Sequence, residues 1–223
     1  MRLPFFMRSI SRCRTKDEVR RLLGEYELRP IFCPRDKSHL LPADALLYRP
    51  AGLAAGIISY GAKGGYSHFA MVGGSVKRTV VEVREWQGGR ISPLDGHVRR
   101  RSGRIDVFSP VDLTFPERFR AVEEMRRFDG VKYGWGNLFW AAVRHLPFAR
   151  WLMPWTVNDD WLSKGPPFCS QAGAIAYRKA THGRFDPVTR RADAYTEPSD
   201  FETSPLFDYV GTLVWWPEEV RST

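Results

Sequence analysis

Cys169 follows Gly165-Pro166-Pro167-Phe168 and stands where a helical pattern over Ser170–Ala180 opens. A cysteine at that position has its sulfur beside backbone N–H groups that lack intrahelical acceptors, at the positive end of the helix dipole. The thiolate is favoured there, which is the setting of nucleophilic cysteines. Free cysteine is also among the most buried residue types, so the reading of Cys169 as an inert core thiol stands beside the catalytic one. A thiol nucleophile needs a base, and of the five histidines only His68 sits at a strand entry, between Gly65-Tyr66-Ser67 and the apolar Phe69-Ala70-Met71-Val72. His39, His97, His145 and His182 occupy loop-like or helix-end contexts, where a solvated ring is expected. The base in turn wants an acceptor on its far nitrogen. Glu82, alone among Val80, Val81 and Val83, is placed to supply it, with Glu85 next in line. The same glutamate also fits as an outward-facing residue of an alternating strand.

These residues need elements to hold them. Thr15-Lys16-Asp17-Glu18 is a capping-box pattern, and the helical spacing of Val19, Leu22 and Leu23 predicts a first helix over Lys16–Gly24. The stretch from Tyr26 to Pro42, broken by prolines, reads as an irregular lead-in, and Ala45 to Arg49 as a strand. Phe69–Val72 and Thr79–Arg84 read as strands joined by the Gly73-Gly74 turn, a hairpin that carries both His68 and Glu82. Further strands are expected at Arg104–Phe108 and Tyr209–Trp215. The second half turns helical: Pro116 opens a run that Gly130 stops, Leu138–Leu146 is a second helix, and the helix after Cys169 ends at Gly183. Strands bunched early and helices late make the fold class α+β, an antiparallel sheet packed on helices.

The bulk properties narrow the setting. With 34 Lys and Arg against 25 Asp and Glu, the chain carries +9 and a pI near 9.7, a field that draws it towards anionic surfaces. The basic residues occur in short clusters, Arg99 to Arg101, Arg126-Arg127 and Arg190-Arg191, with no nucleic-acid tail, and no sequence-specific nucleic-acid binding is expected. Cys13, Cys33 and Cys169 are too few and too scattered for a disulfide framework and show no metal-ligand spacing. No metal and no cofactor is expected. The first residues lack the apolar stretch of a secretory signal, so the chain is expected to be cytoplasmic as synthesised.

Several segments together resemble a known superfamily. They are Leu41-Pro42-Ala43-Asp44-Ala45-Leu46-Leu47-Tyr48, Tyr66-Ser67-His68-Phe69-Ala70-Met71-Val72, Val80-Val81-Glu82-Val83 with Ile91-Ser92-Pro93-Leu94-Asp95, and Phe168-Cys169-Ser170-Gln171. In this order they resemble the permuted NlpC/P60 proteins, in particular the YiiX/YebB-like branch. Tyr133-Gly134-Trp135 and the tail Thr196-Glu197-Pro198-Ser199-Asp200 with Ser204-Pro205-Leu206-Phe207 are similar to further family features. Two departures stand out: Ala43 replaces a glycine usual before the strand aspartate, and the bulky Phe69 follows His68.

The resemblance implies a papain-like NlpC/P60 fold in circularly permuted order, with Cys169 as nucleophile, His68 as base and Glu82 as third member. It spans roughly 42–215, with 1–41 as a helical extension and lead-in and 216–223 as a tail. It implies a thiol hydrolase acting on an amide, with peptidoglycan stem peptides as the favoured substrate and an anionic cell-wall polymer as partner. Without a leader, delivery would be by lysis, a particle or a secretion system. Two alternatives are carried. One is an acyl-lipid hydrolase or acyltransferase of the same fold, with Trp151, Trp155 and Trp161 as possible walls of an acyl pocket. The other is a non-enzymatic structural or binding component of a virion or secretion assembly.

Overall fold

The computed structural model describes residues 10, 12–50, 65–74, 78–136, 138, 165–188 and 193–217. Helix α1 (Lys16–Gly24) begins at the expected cap, where the Thr15 hydroxyl accepts from the Glu18 N–H at 3.2 Å. The strands are β1 (Pro30–Cys33), β2 (Ala45–Tyr48), β3 (His68–Gly73), β4 (Thr79–Arg84), β5 (Gly88–Pro93), β6 (Ile105–Pro110) and β7 (Phe207–Trp215). The helices that follow α1 are α2 (Leu94–Arg100), α3 (Phe115–Arg126), α4 (Cys169–Ala180) and α5 (Pro198–Thr203).

The fold is α+β. One sheet of seven strands runs in the order β1-β7-β6-β2-β3-β4-β5. Every neighbouring pair is antiparallel except the edge pair β1–β7, which is parallel with Pro30 opposite Thr212 and Cys33 opposite Trp215. The sheet is therefore mixed. The lead-in expected to be irregular contributes β1, because its backbone finds a partner strand at the far end of the chain. The segment after Trp86, read only as part of a motif, forms β5 and α2. Gly89 explains why a glycine pair is tolerated in β5: a Cβ there would stand 1.7 Å from the Phe128 carbonyl oxygen, and the strand is paired with the loop that carries it.

Both faces of the sheet are covered, so β2 and β3 are buried along their whole length. On one face Leu47, Phe69, Met71, Val81 and Val83 pack under α3 and α4, joined by Val122, Met125, Ala172, Ala176 and Tyr177. On the other, Leu46, Tyr48, Ala70, Val72, Val80 and Val107 pack with Leu94 and Val98 of α2. Burying side chains of this size is worth about 1.5–3 kcal/mol each, and it fixes the strand register, since a one-residue slip would exchange the two faces.

A buried polar post crosses the layers at the start of β2. The Asp44 carboxylate accepts from the Leu41 N–H at 2.8 Å, the Ser109 hydroxyl at 2.8 Å and the Arg118 guanidinium at 2.9 Å. Arg118 also donates to the Pro42 and Pro110 carbonyls and to Ser109. The preceding Ala43 has φ of 63°, the left-handed region that a Cβ disfavours and that glycine adopts without strain. Among the described residues, no helix is long and apolar enough to cross a membrane.

Candidate active site

Cys169 is the first residue of α4, whose N-cap residue, Phe168, has no side-chain group to cap it. Its neighbours hold it rigidly. The Ser170 hydroxyl donates to the Thr196 carbonyl at 2.7 Å, tying the helix start to the tail segment, whose Glu197 N–H is capped by Asp200 at 2.7 Å as α5 opens. Phe201 of α5 stacks on Phe69 with ring centroids 4.4 Å apart. Phe69 in turn fills the space over Gly173, where a Cβ would come within 2.3 Å of the ring. The bulky residue after His68 is therefore a fully buried core wedge between β3 and α4.

His68 opens β3 and is buried. Just ahead of it, the Ser67 N–H donates to the Tyr48 carbonyl at 2.9 Å, and the Tyr66 hydroxyl donates to the buried Asp106 at 2.7 Å. Asp106 is also held by Arg49 and Thr212, so the approach to β3 is anchored to β6 and β7. The Met71–Val81 register of the hairpin places Ala70 opposite Glu82, which makes Glu82 a diagonal neighbour of His68 on the same side of the strands. The contact is made: His68 Nε2 lies 2.7 Å from Glu82 Oε2. With Nε2 engaged, the other nitrogen, Nδ1, is left for the thiol. It has no hydrogen-bond partner among the described residues, and of the neighbouring groups Cys169 acts most strongly on the ring.

The electrostatics couple the three. Burial alone would push the His68 ring towards its neutral form, but the negative charge and hydrogen bonding of Cys169, followed by those of Glu82, raise it to about 10. Burial pushes the Glu82 carboxyl upward, and its bonds to His68 and Arg90 together with nearby His97 overcome that and hold it well below the usual carboxylate range. The chemistry open to this arrangement is an imidazolium–thiolate pair oriented by a carboxylate. Cys169, His68 and Glu82, the residues singled out from sequence, are thus brought together.

Other participants were not foreseen. Arg90 of β5 clamps Glu82 Oε1, its Nε donating at 2.7 Å and its Nη2 closer still. His97, expected to be solvated, is buried instead: α2 lays it over the sheet, where its Nδ1 lies 2.8 Å from the Tyr48 hydroxyl and its Nε2 2.8 Å from Ser92 Oγ. Burial lowers it to about 4, so it is a neutral partner near neutral pH. The signal for this helix was the pair Leu94 and Val98, one turn apart after Pro93, with His97 beside them. His39 and His182 are exposed as expected. His145, Trp151, Trp155 and Trp161, nearly all of the second expected helix, and Arg190-Arg191 lie outside the described residues.

Tyr133 completes the surroundings of the thiol. It lies near Cys169, and burial, with the neighbouring negative charge of Cys169 and Glu85, holds the phenol in its protonated form. Gly134 makes the placement possible: its N–H donates to the Pro167 carbonyl at 3.1 Å, and a Cβ would stand 2.0 Å from the Pro166 oxygen. From Tyr133 an aromatic run leads outward through Trp135, 5.0 Å away, to Trp86, a further 4.7 Å. Trp86 is 87% exposed and Trp135 43% exposed, and Trp86 has φ of 65°, an unusual conformation for a bulky residue. Among the described residues no group of three or more His, Cys, Asp or Glu is arranged to hold a metal ion.

No protein-family model matches this chain, and no curated protein does. Among solved structures it is similar to the crystal structure of metalloprotein yiiX from Escherichia coli O157:H7, DUF1105, with a TM-score of 0.45 and 14% identity, over 79% of this chain and 98% of that one.

Proposed function

We propose that this chain is a cysteine hydrolase of the papain-like, circularly permuted type, in the YiiX/YebB-like branch of the NlpC/P60 proteins, and that it cleaves an amide in peptidoglycan stem peptides. One observation carries the catalytic part: a buried imidazole joined to a carboxylate through Nε2, with a helix-opening thiol beside it and Nδ1 left open. The order of motifs in the sequence supports the family, and the surplus of basic residues supports an anionic polymer as the place of action.

In the proposed reaction His68 holds on Nδ1 the proton taken from Cys169, and the thiolate sulfur bonds to the amide carbonyl carbon. The carbonyl oxygen becomes an oxyanion, met by the Cys169 backbone N–H and by the Tyr133 hydroxyl as second donor. His68 returns the proton to the leaving nitrogen as the C–N bond breaks, leaving a thioester and a free amine. Water then gives a proton to His68 and attacks the thioester, releasing the carboxylic acid and restoring the thiol. Glu82 stays ionised throughout and steadies the imidazolium.

Purified protein should release amine termini from peptidoglycan, at a rate that falls as salt screens the attraction, and Cys169→Ala should abolish release while keeping the fold. Near-wild-type release by that variant would sink the assignment. The exposed aromatic run ending at Tyr133 favours a second reading, an apolar acyl chain laid along it towards the thiol. Cys169-dependent cleavage of an acyl ester or thioester, with wall material untouched, would establish that lipid reading. If neither is cleaved, a non-enzymatic role in a particle or secretion assembly remains.

A further inference from the structure

A group of arginines surrounds Tyr48, the residue whose ring packs edge-on against His68 with centroids 5.1 Å apart. Arg84, Arg90 and Arg101 all act on the Tyr48 phenol, and Arg84, Arg90 and Arg100 on the His97 beside it. The carboxylates in the same neighbourhood are Glu82 and Glu85. Four guanidiniums therefore face two carboxylates.

Glu82 is already used. Its Oε2 holds His68, and its Oε1 is clamped by Arg90. Arg84 approaches Oε1 only to 3.8 Å and makes no side-chain hydrogen bond among the described residues. Arg101 has no ion pair and no side-chain hydrogen bond among them; its guanidinium lies over the Tyr48 ring, 5.7 Å from the centroid. Glu85 is felt by Arg101 but forms no ion pair with any described residue. Burial and the like charge of Arg84 both work against the charged form of Arg101; Tyr48, Glu82 and Glu85 favour it, but none of them makes a side-chain hydrogen bond to it among the described residues. The register that sets Met71 opposite Val81, continued along the hairpin, sets His68 opposite Arg84, and Tyr48, under Arg101, stands opposite His68 on the other side, which places both guanidiniums beside the base.

We infer that Arg84 and Arg101 form an oxyanion-binding subsite flanking His68, which receives a carboxylate or phosphate of the substrate. Planar guanidinium forks suit either group, because each offers paired N–H donors to paired oxygens. The inference rests on the hydrolase reading only for its place beside the reacting atoms. Binding of the anion needs no turnover.

The test is a titration of the full-length protein with inorganic phosphate and, separately, with acetate, following the His68 imidazole resonances by NMR in wild type and in Cys169→Ala. A saturable shift is expected in both proteins. Affinity should fall about tenfold or more in Arg84→Gln and in Arg101→Gln, as expected for loss of a charged hydrogen-bond donor, and stay unchanged in Arg99→Gln on the exposed side of α2. Tighter phosphate binding points to a phosphate-bearing substrate, and tighter acetate binding to a carboxylate-bearing one. Absence of a saturable shift with both anions, retention of affinity in both Arg84→Gln and Arg101→Gln, or an equal loss in Arg99→Gln would overturn the subsite. Cys169→Ala that binds anion while wild type turns nothing over would refute the hydrolase reading and leave the subsite standing.

Discussion

Replacing Glu82 by glutamine tests the orienting role most sharply, because Arg90 dictates what the amide must do. Arg90 can only donate, so the single amide oxygen must face it, and the amide nitrogen is left to face His68 Nε2. That nitrogen must then accept, which moves the ring proton to Nδ1, the position that has to receive the proton of Cys169. The rise of His68 from 6.5 to about 10 represents on the order of 5 kcal/mol of preference for the charged ring, and Glu82 supplies the part that Cys169 does not. In a Ser-His-Asp site the corresponding wrong tautomer costs about 10⁴ in kcat, and a loss of about 10³–10⁴ is expected here. The variant also leaves Arg90 and Arg84 without their carboxylate. That costs about 3 kcal/mol of stability, the low end for a broken buried pair, since both arginines keep some access to water. Nitrogen-15 NMR of labelled histidine reads the tautomer, and the rate of Cys169 alkylation by iodoacetamide at neutral pH reads the thiol without a known substrate. A Glu82→Gln protein that keeps its proton on Nε2 and alkylates at the wild-type rate would refute the reasoning.

Arg118→Met should cost about 3–5 kcal/mol in urea unfolding, because it strands the buried Asp44, and Asp44→Asn in the same chain should recover part of the loss; a loss below about 1 kcal/mol would contradict the post described for β2. Gly173→Ala should lower Tm by driving Phe69 off its stack on Phe201, with Phe69→Leu relieving the clash, and an unchanged Tm would contradict the packing between β3 and α4. Stability should also depend on pH through the His68–Glu82 pair. The Glu82 contribution is full above its unfolded value of 4.5 and is lost as pH falls through its depressed folded value, while the His68 contribution is full below 6.5 and is lost as pH rises through about 10. Denaturant midpoints should therefore be highest between about pH 4.5 and 6.5 and decline towards 10, and a midpoint flat across that alkaline range would contradict the raised His68.

What could be read from the sequence was whatever local chemistry decides. Thr15 and Glu18 announce α1, the apolar runs around the Gly73-Gly74 turn announce the hairpin, and the period of two along its strands puts His68 and Glu82 on one side. Cys169 at the end of a Pro-Pro-Phe segment announces a helix start. What escaped depends on partners distant in the chain. β1 is a strand because Thr212 to Trp215 lie beside it, and nothing within Pro30–Cys33 says so. His97 is buried because α2 folds over Tyr48, and a lone histidine in a short polar helix carries no mark of that. The cluster Arg99 to Arg101 divides in the structure, with Arg99 exposed and Arg101 over the Tyr48 ring, while Arg118 and Arg90, which stand in no cluster, hold the buried carboxylates of Asp44 and Glu82.

The central claim is that Cys169 is an activated thiol, and it is tested by competition among the cysteines of one chain. Cys33 is buried, with its thiol pushed up to about 12, and Cys13, though more accessible, is raised by burial and by Glu18. Cys169 is buried as well, but it opens a helix and acts on His68. Brief exposure of the native protein to iodoacetamide at neutral pH, followed by mass-spectrometric mapping of the labelled peptides, should find Cys169 modified first and faster than Cys13 despite its lower exposure, with Cys33 unmodified. Labelling of Cys169 no faster than Cys13 would contradict the account.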